Sequence, residues 1–136
     1  MFQIDKDHPL NNAEKSNSIA KSYINKIRSS QDRNIPFELG IVEYTEILGG
    51  TVCSYTGELF DFNNPNKVPS LERINPLEGY TSSNTILVTK EANAAKCNFD
   101  IFIHNDKLTT EQKIRIMNRV IYRLKKQLKN ESLVSD

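Results

Sequence analysis

The feature that most constrains the fold is a change of pattern in the middle of the chain. Residues 12–30 repeat apolar side chains at helical spacing, which predicts an amphipathic helix. Residues 68–74 and 85–89 are instead short, apolar or β-branched and bounded by turn residues, which predicts two strands. Residues 90–96 are rich in alanine and favour a helix directly after the second strand. Two strands and a helix placed between other helices predict an α+β chain.

A second, shorter helix is expected between the first helix and the strands. It follows Pro36 and stops at Gly49 and Gly50, where glycine favours a left-handed C-cap. A tight turn is expected from Cys53 to Gly57.

The last predicted helix, over residues 110–130, is both amphipathic and basic. Thr109 and Gln112 form a capping box at its start. Its apolar residues step by three and four positions, as Ile114, Met117, Ile121, Leu124 and Leu128. This stripe fits packing into the chain's own core, or pairing with a second copy, as a homodimer, or with another protein.

The same segment carries the strongest local charge. Residues 113–129 hold seven Lys or Arg side chains and no acidic one, although the whole chain has a net charge of only +1. A solvated helix face or contacts to nucleic-acid phosphates would both explain this. The best phosphate candidates lie off the apolar stripe, and they are Arg115, Arg119, Lys126 and Lys129.

Length and cysteine content limit the domain organisation and the kinds of cysteine site that the chain can form. A chain of 136 residues predicts one domain, with a helical part at 1–50, a ββα core at 51–98 and the basic helix and tail at 99–136. Cys53 and Cys97 are too few for a disulfide framework or a four-thiolate zinc site, so free thiols and no zinc site are expected.

The sequence also limits the membrane and histidine-dependent functions that the chain can have. The chain has no apolar run long enough to cross a membrane and no signal-like start, so we expect a cytoplasmic protein without a membrane partner. The two histidines, His8 and His104, leave little room for histidine-dependent chemistry.

One stretch has a recognisable order of residues. Residues 70–96 read SLERINPLEGYTSSNTILVTKEANAAK. This order resembles the HNH, or ββα-metal, nuclease motif in its phage and prophage branch, in a degenerate S-L-E-R-I form that lacks the catalytic histidine. The resemblance is strong over about 45 residues, from Cys53 to Cys97. It implies an HNH-like ββα unit and, for a phage protein, the host cytoplasm.

The resemblance also implies roles for individual residues. Glu72 and Asn93 match the metal-ligand positions, and their oxygen atoms suit Mg²⁺. Asn84 matches the asparagine that orients the catalytic group. Arg73 stands at the position of the general-base histidine, and Lys96 matches a frequent basic residue on the helix. Simpler interpretations are a salt bridge of Glu72 with Arg73, a turn role for Asn84 and an exposed Asn93.

Two functions follow from the resemblance. The first is a Mg²⁺-dependent DNA endonuclease that hydrolyses phosphodiesters, with Arg73 and Lys96 on phosphate. Arginine stays protonated and cannot act as a general base, but it can hold a phosphate. The second function is that of a catalytically inactive HNH-fold binding protein. It would target DNA or a host protein, such as RNA polymerase or a defence factor.

Overall fold

The computed structural model describes residues 12–134 of the chain. These residues divide into two compact units, with the boundary between Lys96 and Cys97. The described residues form helices and one antiparallel pair of strands, so the predicted α+β class is confirmed. The elements are α1 (Ala13–Asp32), α2 (Ile41–Leu48), β1 (Pro69–Arg73), β2 (Thr85–Thr89), α3 (Lys90–Ile103) and α4 (Thr110–Val134).

The two N-terminal helices lie where the apolar spacing predicted them. The side chain of Asn12 caps α1 by accepting a hydrogen bond from the Lys15 N–H at 3.1 Å. The left-handed cap predicted for α2 was wrong, because Gly49 has a φ of −74°. The N–H of Gly49 bonds the carbonyls of both Thr45 and Glu46, and this tightens the last turn without a left-handed residue.

An aromatic cluster joins these helices to the loop before β2. The ring of Tyr23 lies 5.6 Å from Phe37 and 5.2 Å from Tyr44, measured between centroids. Phe37 lies 5.6 Å from Tyr80, which is only 3% exposed, so the predicted core position of Tyr80 is confirmed. Edge-on and tilted contacts of this kind stabilise a core beyond the area that they bury.

The strands form a hairpin in which Leu71 pairs with Leu87 and Glu72 pairs with Ile86. Adjacent residues of a strand point to opposite faces, so Glu72 lies on one face and Leu71 on the other. On the Leu71 face, Leu87 is buried and its side chain reaches Gly50. The other face is contacted by α3, which is longer than predicted and runs to Ile103.

The second unit contains the end of α3 and the whole of α4. The predicted capping box is confirmed, since Thr109 N–H donates to Gln112 Oε1 at 2.9 Å and Gln112 N–H donates to Thr109 Oγ1 at 3.2 Å. No side chain of α4 is buried, and Leu128 on the apolar stripe is 63% exposed. Packing into the chain's own core stays one of the three interpretations of this stripe.

Candidate functional site

The candidate site lies between β1 and α3. Ser70 and Glu72 are two residues apart on β1 and therefore point to the same face, towards α3. Asn93 and Lys96 are three residues apart on α3 and face back towards the strand. The four side chains meet as two pairs, Asn93 with Ser70 and Lys96 with Glu72. We call these four residues the strand–helix cluster.

Glu72 and Lys96 form a shielded ion pair. Oε2 of Glu72 lies 3.8 Å from Nζ of Lys96, and the side chains are 10% and 16% exposed respectively. The same Nζ donates to the backbone carbonyls of Arg73 at 3.2 Å and Ile74 at 2.6 Å. Lys96 therefore ties α3 to the end of β1. The ion pair of Glu72 found here is with Lys96, whereas the sequence had suggested Arg73 as the partner.

Asn93 is held against the strand. Its Nδ2 donates to Oγ of Ser70 at 2.9 Å, and the residue is partly buried, which does not fit the simpler interpretation of an exposed Asn93. This contact directs the amide oxygen away from Ser70, because the two polar atoms of an amide point apart. Glu72 and Asn93, the predicted metal ligands, thus come to one face of the ββα unit. Among residues 12–134, no group of three or more His, Cys, Asp or Glu could hold a metal ion.

Asn84 organises the loop between the strands. It is buried, its Oδ1 accepts from Asn75 N–H at 2.8 Å, and its Nδ2 donates to the carbonyls of Asn75 at 3.0 Å and Gly79 at 2.9 Å. These three bonds close the loop onto the start of β2. A turn role and an orienting role both require this arrangement.

Arg73 serves a different surface from its neighbour Glu72. Its Nη1 donates to the carbonyls of Pro76 at 2.7 Å and Glu78 at 3.0 Å. Its guanidinium carbon lies 5.5 Å from the centre of the Tyr80 ring. Since α3 contacts Glu72 from the other face, these two adjacent residues of the motif do not share one site.

The predicted turn from Cys53 to Gly57 is present, with a φ of +76° at Gly57 and a 2.8 Å hydrogen bond from Gly57 N–H to the Cys53 carbonyl. The thiol of Cys53 is 1% exposed and accepts from Thr89 N–H at 3.2 Å. Burial raises the pKa of this thiol, but hydrogen bonds from the side chain of Thr56 and from the backbone N–H groups of Thr89, Thr56 and Tyr55 lower it by more. The net result is a pKa of about 7, below the ordinary value of 9.0. Both cysteines are free, as predicted.

The remaining predicted residues lie in the second unit or outside the described part. The basic candidates Arg115, Arg119, Lys126 and Lys129 lie on α4 and are exposed. Among residues 12–134, only Arg115 of these four forms an ion pair, from its Nη2 to Glu111 Oε1 at 3.3 Å. His104 follows α3 and is exposed. His8 lies outside the described residues.

The sequence did not single out three residues that contribute to these surfaces. Ser70 could have been found, because it lies two residues from Glu72 in a predicted strand and must share its face. Lys26 and Arg33 belong with Tyr80, but they approach it only through the packing of α1 against the loop. No pattern in the sequence reports that contact.

Comparisons with known proteins add no relative. No family model matches the chain, and no curated protein or solved structure matches it either. Within residues 12–134, no helix is both long and apolar enough to cross a membrane.

Proposed function

We propose that this chain is an HNH-like, phage-type protein that acts on nucleic acid, and that it is a candidate Mg²⁺-dependent DNA endonuclease. The observation that carries the proposal is the shared face of Glu72 on β1 and Asn93 on α3. Glu72 lies on the first of two successive strands, and Asn93 lies on the helix that follows the second strand. Asn84 closes the loop between the strands. The residues that resemble the HNH motif thus occupy a ββα unit.

The chemistry of the two side chains supports a cation there. A carboxylate and an amide offer hard oxygen ligands, which Mg²⁺ prefers. Bound there, the ion would neutralise charge on the scissile phosphate and on the departing oxygen. Glu72 and Asn93 would hold it, and the bond from Asn93 to Ser70 would fix the direction of the amide oxygen.

A second candidate function is an inactive HNH-fold protein that binds DNA or a host protein. Two observations favour it. The ammonium of Lys96 lies beside Glu72, where a metal would need to bind, and Arg73 is engaged with loop carbonyls on the other face. Arginine cannot accept a proton from water, so the base position of the motif has no base.

The basic face of α4 supports a nucleic-acid target under either function. Arg119 and Lys126 are exposed and lie off the apolar stripe. Each phosphate contact steepens the salt dependence of DNA binding by about 0.9 in a log–log plot. Replacing both residues, Arg119→Glu and Lys126→Glu, should reduce that slope by about 2. An unchanged slope would remove this face from the interface.

Plasmid nicking separates the two functions. Purified protein with Mg²⁺ or Mn²⁺ should convert supercoiled plasmid to the open circular form, and EDTA should stop the reaction. Asn93→Ala should abolish nicking, whereas Asn98→Ala, which removes an exposed asparagine from the same helix, should not. Nicking that survives Asn93→Ala would rule out the proposed site. DNA binding without nicking would favour the inactive protein.

A further inference from the structure

A second polar surface of the first unit surrounds Tyr80. Nη2 of Arg33 lies 3.5 Å from the Tyr80 hydroxyl oxygen. Nζ of Lys26 lies 4.7 Å from the centre of the Tyr80 ring, and the guanidinium carbon of Arg73 lies 5.5 Å from it. We call Lys26, Arg33, Arg73 and Tyr80 the Tyr80 cluster.

The backbone fixes the centre of this cluster. Tyr80 N–H donates to the Pro36 carbonyl and Glu38 N–H donates to the Tyr80 carbonyl, both at 2.9 Å. Lys26 and Arg33 are seven residues apart, two turns along α1 and its C-cap, so they lie on the same side of that helix. Arg73 is held from the other side by the carbonyls of Pro76 and Glu78, so the three cations lie around Tyr80 without a ligand.

The cluster holds more positive charge than its surroundings neutralise. Among residues 12–134, neither Lys26 nor Arg33 nor Arg73 forms an ion pair with an Asp or Glu. Burial raises the pKa of Tyr80, but hydrogen bonds and charge from Lys26 and Arg33 lower it below its ordinary value of 10.0. A phenol whose pKa is lowered despite burial lies in a positive potential, which an anionic ligand would relieve.

We propose that the Tyr80 cluster is an anion site that binds one phosphate group of a nucleic-acid backbone. Guanidinium groups bind phosphate oxygens through paired hydrogen bonds, and lysine adds a point charge. Nη1 of Arg73 is occupied by two carbonyls, but its guanidinium has three further N–H groups. Such a site positions the backbone without reading sequence. The choice of nucleic acid as the source rests on the proposed function; the site itself does not require hydrolysis at Glu72.

The first test uses inorganic phosphate and the full chain. Phosphate should shift the Tyr80 ring signals in NMR spectra saturably, while chloride at equal ionic strength should not. Lys26→Gln with Arg33→Gln should weaken phosphate binding at least about fivefold. Lys21→Gln with Arg28→Gln removes the same charge from exposed positions of α1 at the same spacing, and it should bind like the wild type. Lys26→Arg with Arg33→Lys keeps both charges and should retain the response.

The second test uses a DNA duplex. Lys26→Gln with Arg33→Gln should lower the salt slope of duplex binding by about 1, as expected for one lost phosphate contact. An unsaturable Tyr80 response, or an equal response in this variant and the wild type, would overturn the anion site. If phosphate shifts Tyr80 but the wild type binds no duplex, the proposed function fails and nucleic acid is excluded as the source of the phosphate.

Discussion

The ammonium nitrogen of Lys96 lies 3.8 Å from Oε2 of Glu72, between α3 and the end of β1. Lys96 also bonds the carbonyls of Arg73 and Ile74, so one side chain both holds the helix on the strand and places a positive charge at Glu72. A metal ion at Glu72 would compete with that charge. The relationship between these two residues therefore links the stability of the unit to its capacity for metal.

Lys96→Met removes the charge and keeps most of the side-chain volume. It should lower the free energy of unfolding by about 3 kcal/mol, because it leaves a shielded carboxylate without this partner. Millimolar Mg²⁺ should then stabilise the variant more than the wild type, since the ion can replace the lost charge. Urea unfolding with Mg²⁺ and with EDTA measures both effects.

Lys90→Met serves as the control, because Lys90 is exposed in the first turn of the same helix. Its unfolding should show little change and no added response to Mg²⁺. An equal Mg²⁺ response in the Lys96 variant and the wild type would mean that Glu72 does not hold a metal.

Cys53 should make stability depend on pH. Its pKa falls from 9.0 to about 7 on folding, so between these values the unfolded chain binds the extra proton. The free energy of unfolding should therefore rise with pH from about 7 to about 9, and the gain should be lost as pH falls through about 7. Cys53→Ala should lack this rise when denaturation curves of both proteins are compared. Parallel pH profiles would show that the buried thiol keeps an ordinary pKa.

Gly79 should be sensitive to a single methyl group. A Cβ at this position would lie 2.3 Å from the carbonyl oxygen of Pro36, which accepts the Tyr80 N–H. Gly79→Ala should therefore destabilise the chain by about 1–3 kcal/mol in thermal or urea unfolding. Gly40→Ala is the matched control, because the nearest atom there would be 3.8 Å away. Equal stabilities of the two variants would contradict this close approach.

Pairing of two chains through α4 stays a prediction. Its stripe follows a heptad spacing, and none of the seven basic residues of 113–129 lies at a seam position. Five of them lie away from the seam, and only Lys113 and Lys125 flank it, so little like charge opposes pairing there. Leu124→Glu should shift the chain from dimer to monomer in sedimentation velocity at micromolar concentration. Leu133→Glu changes an exposed leucine off the seam and should leave the dimer intact. A wild-type chain that is monomeric throughout would rule out this pairing.

The sequence predicted local structure well where local patterns decide it. The capping box at Thr109, the strand over Thr85–Thr89 and the core position of Tyr80 were all found. The cap at Gly49 was wrong because glycine permits a left-handed residue without requiring one.

Site geometry was harder to predict because it depends on contacts between elements. Glu72 and Arg73 are adjacent in the motif and were therefore assigned to one site, but adjacent residues of a strand point to opposite faces. The phosphate role of Lys96 stays a prediction, and its position opposite Glu72 follows from how α3 packs on β1. The motif therefore indicated which residues to examine, whereas the packing determined their partners.

Duplex binding by the wild-type chain tests the central claim, action on nucleic acid, most directly. Fluorescence anisotropy with a labelled duplex should be measured across about 50–200 mM salt, in EDTA and again in Mg²⁺. We predict saturable binding whose affinity falls linearly in a log–log plot, with a slope of at least about 2 in magnitude. No binding in either buffer, or an affinity that does not change with salt, would contradict the account.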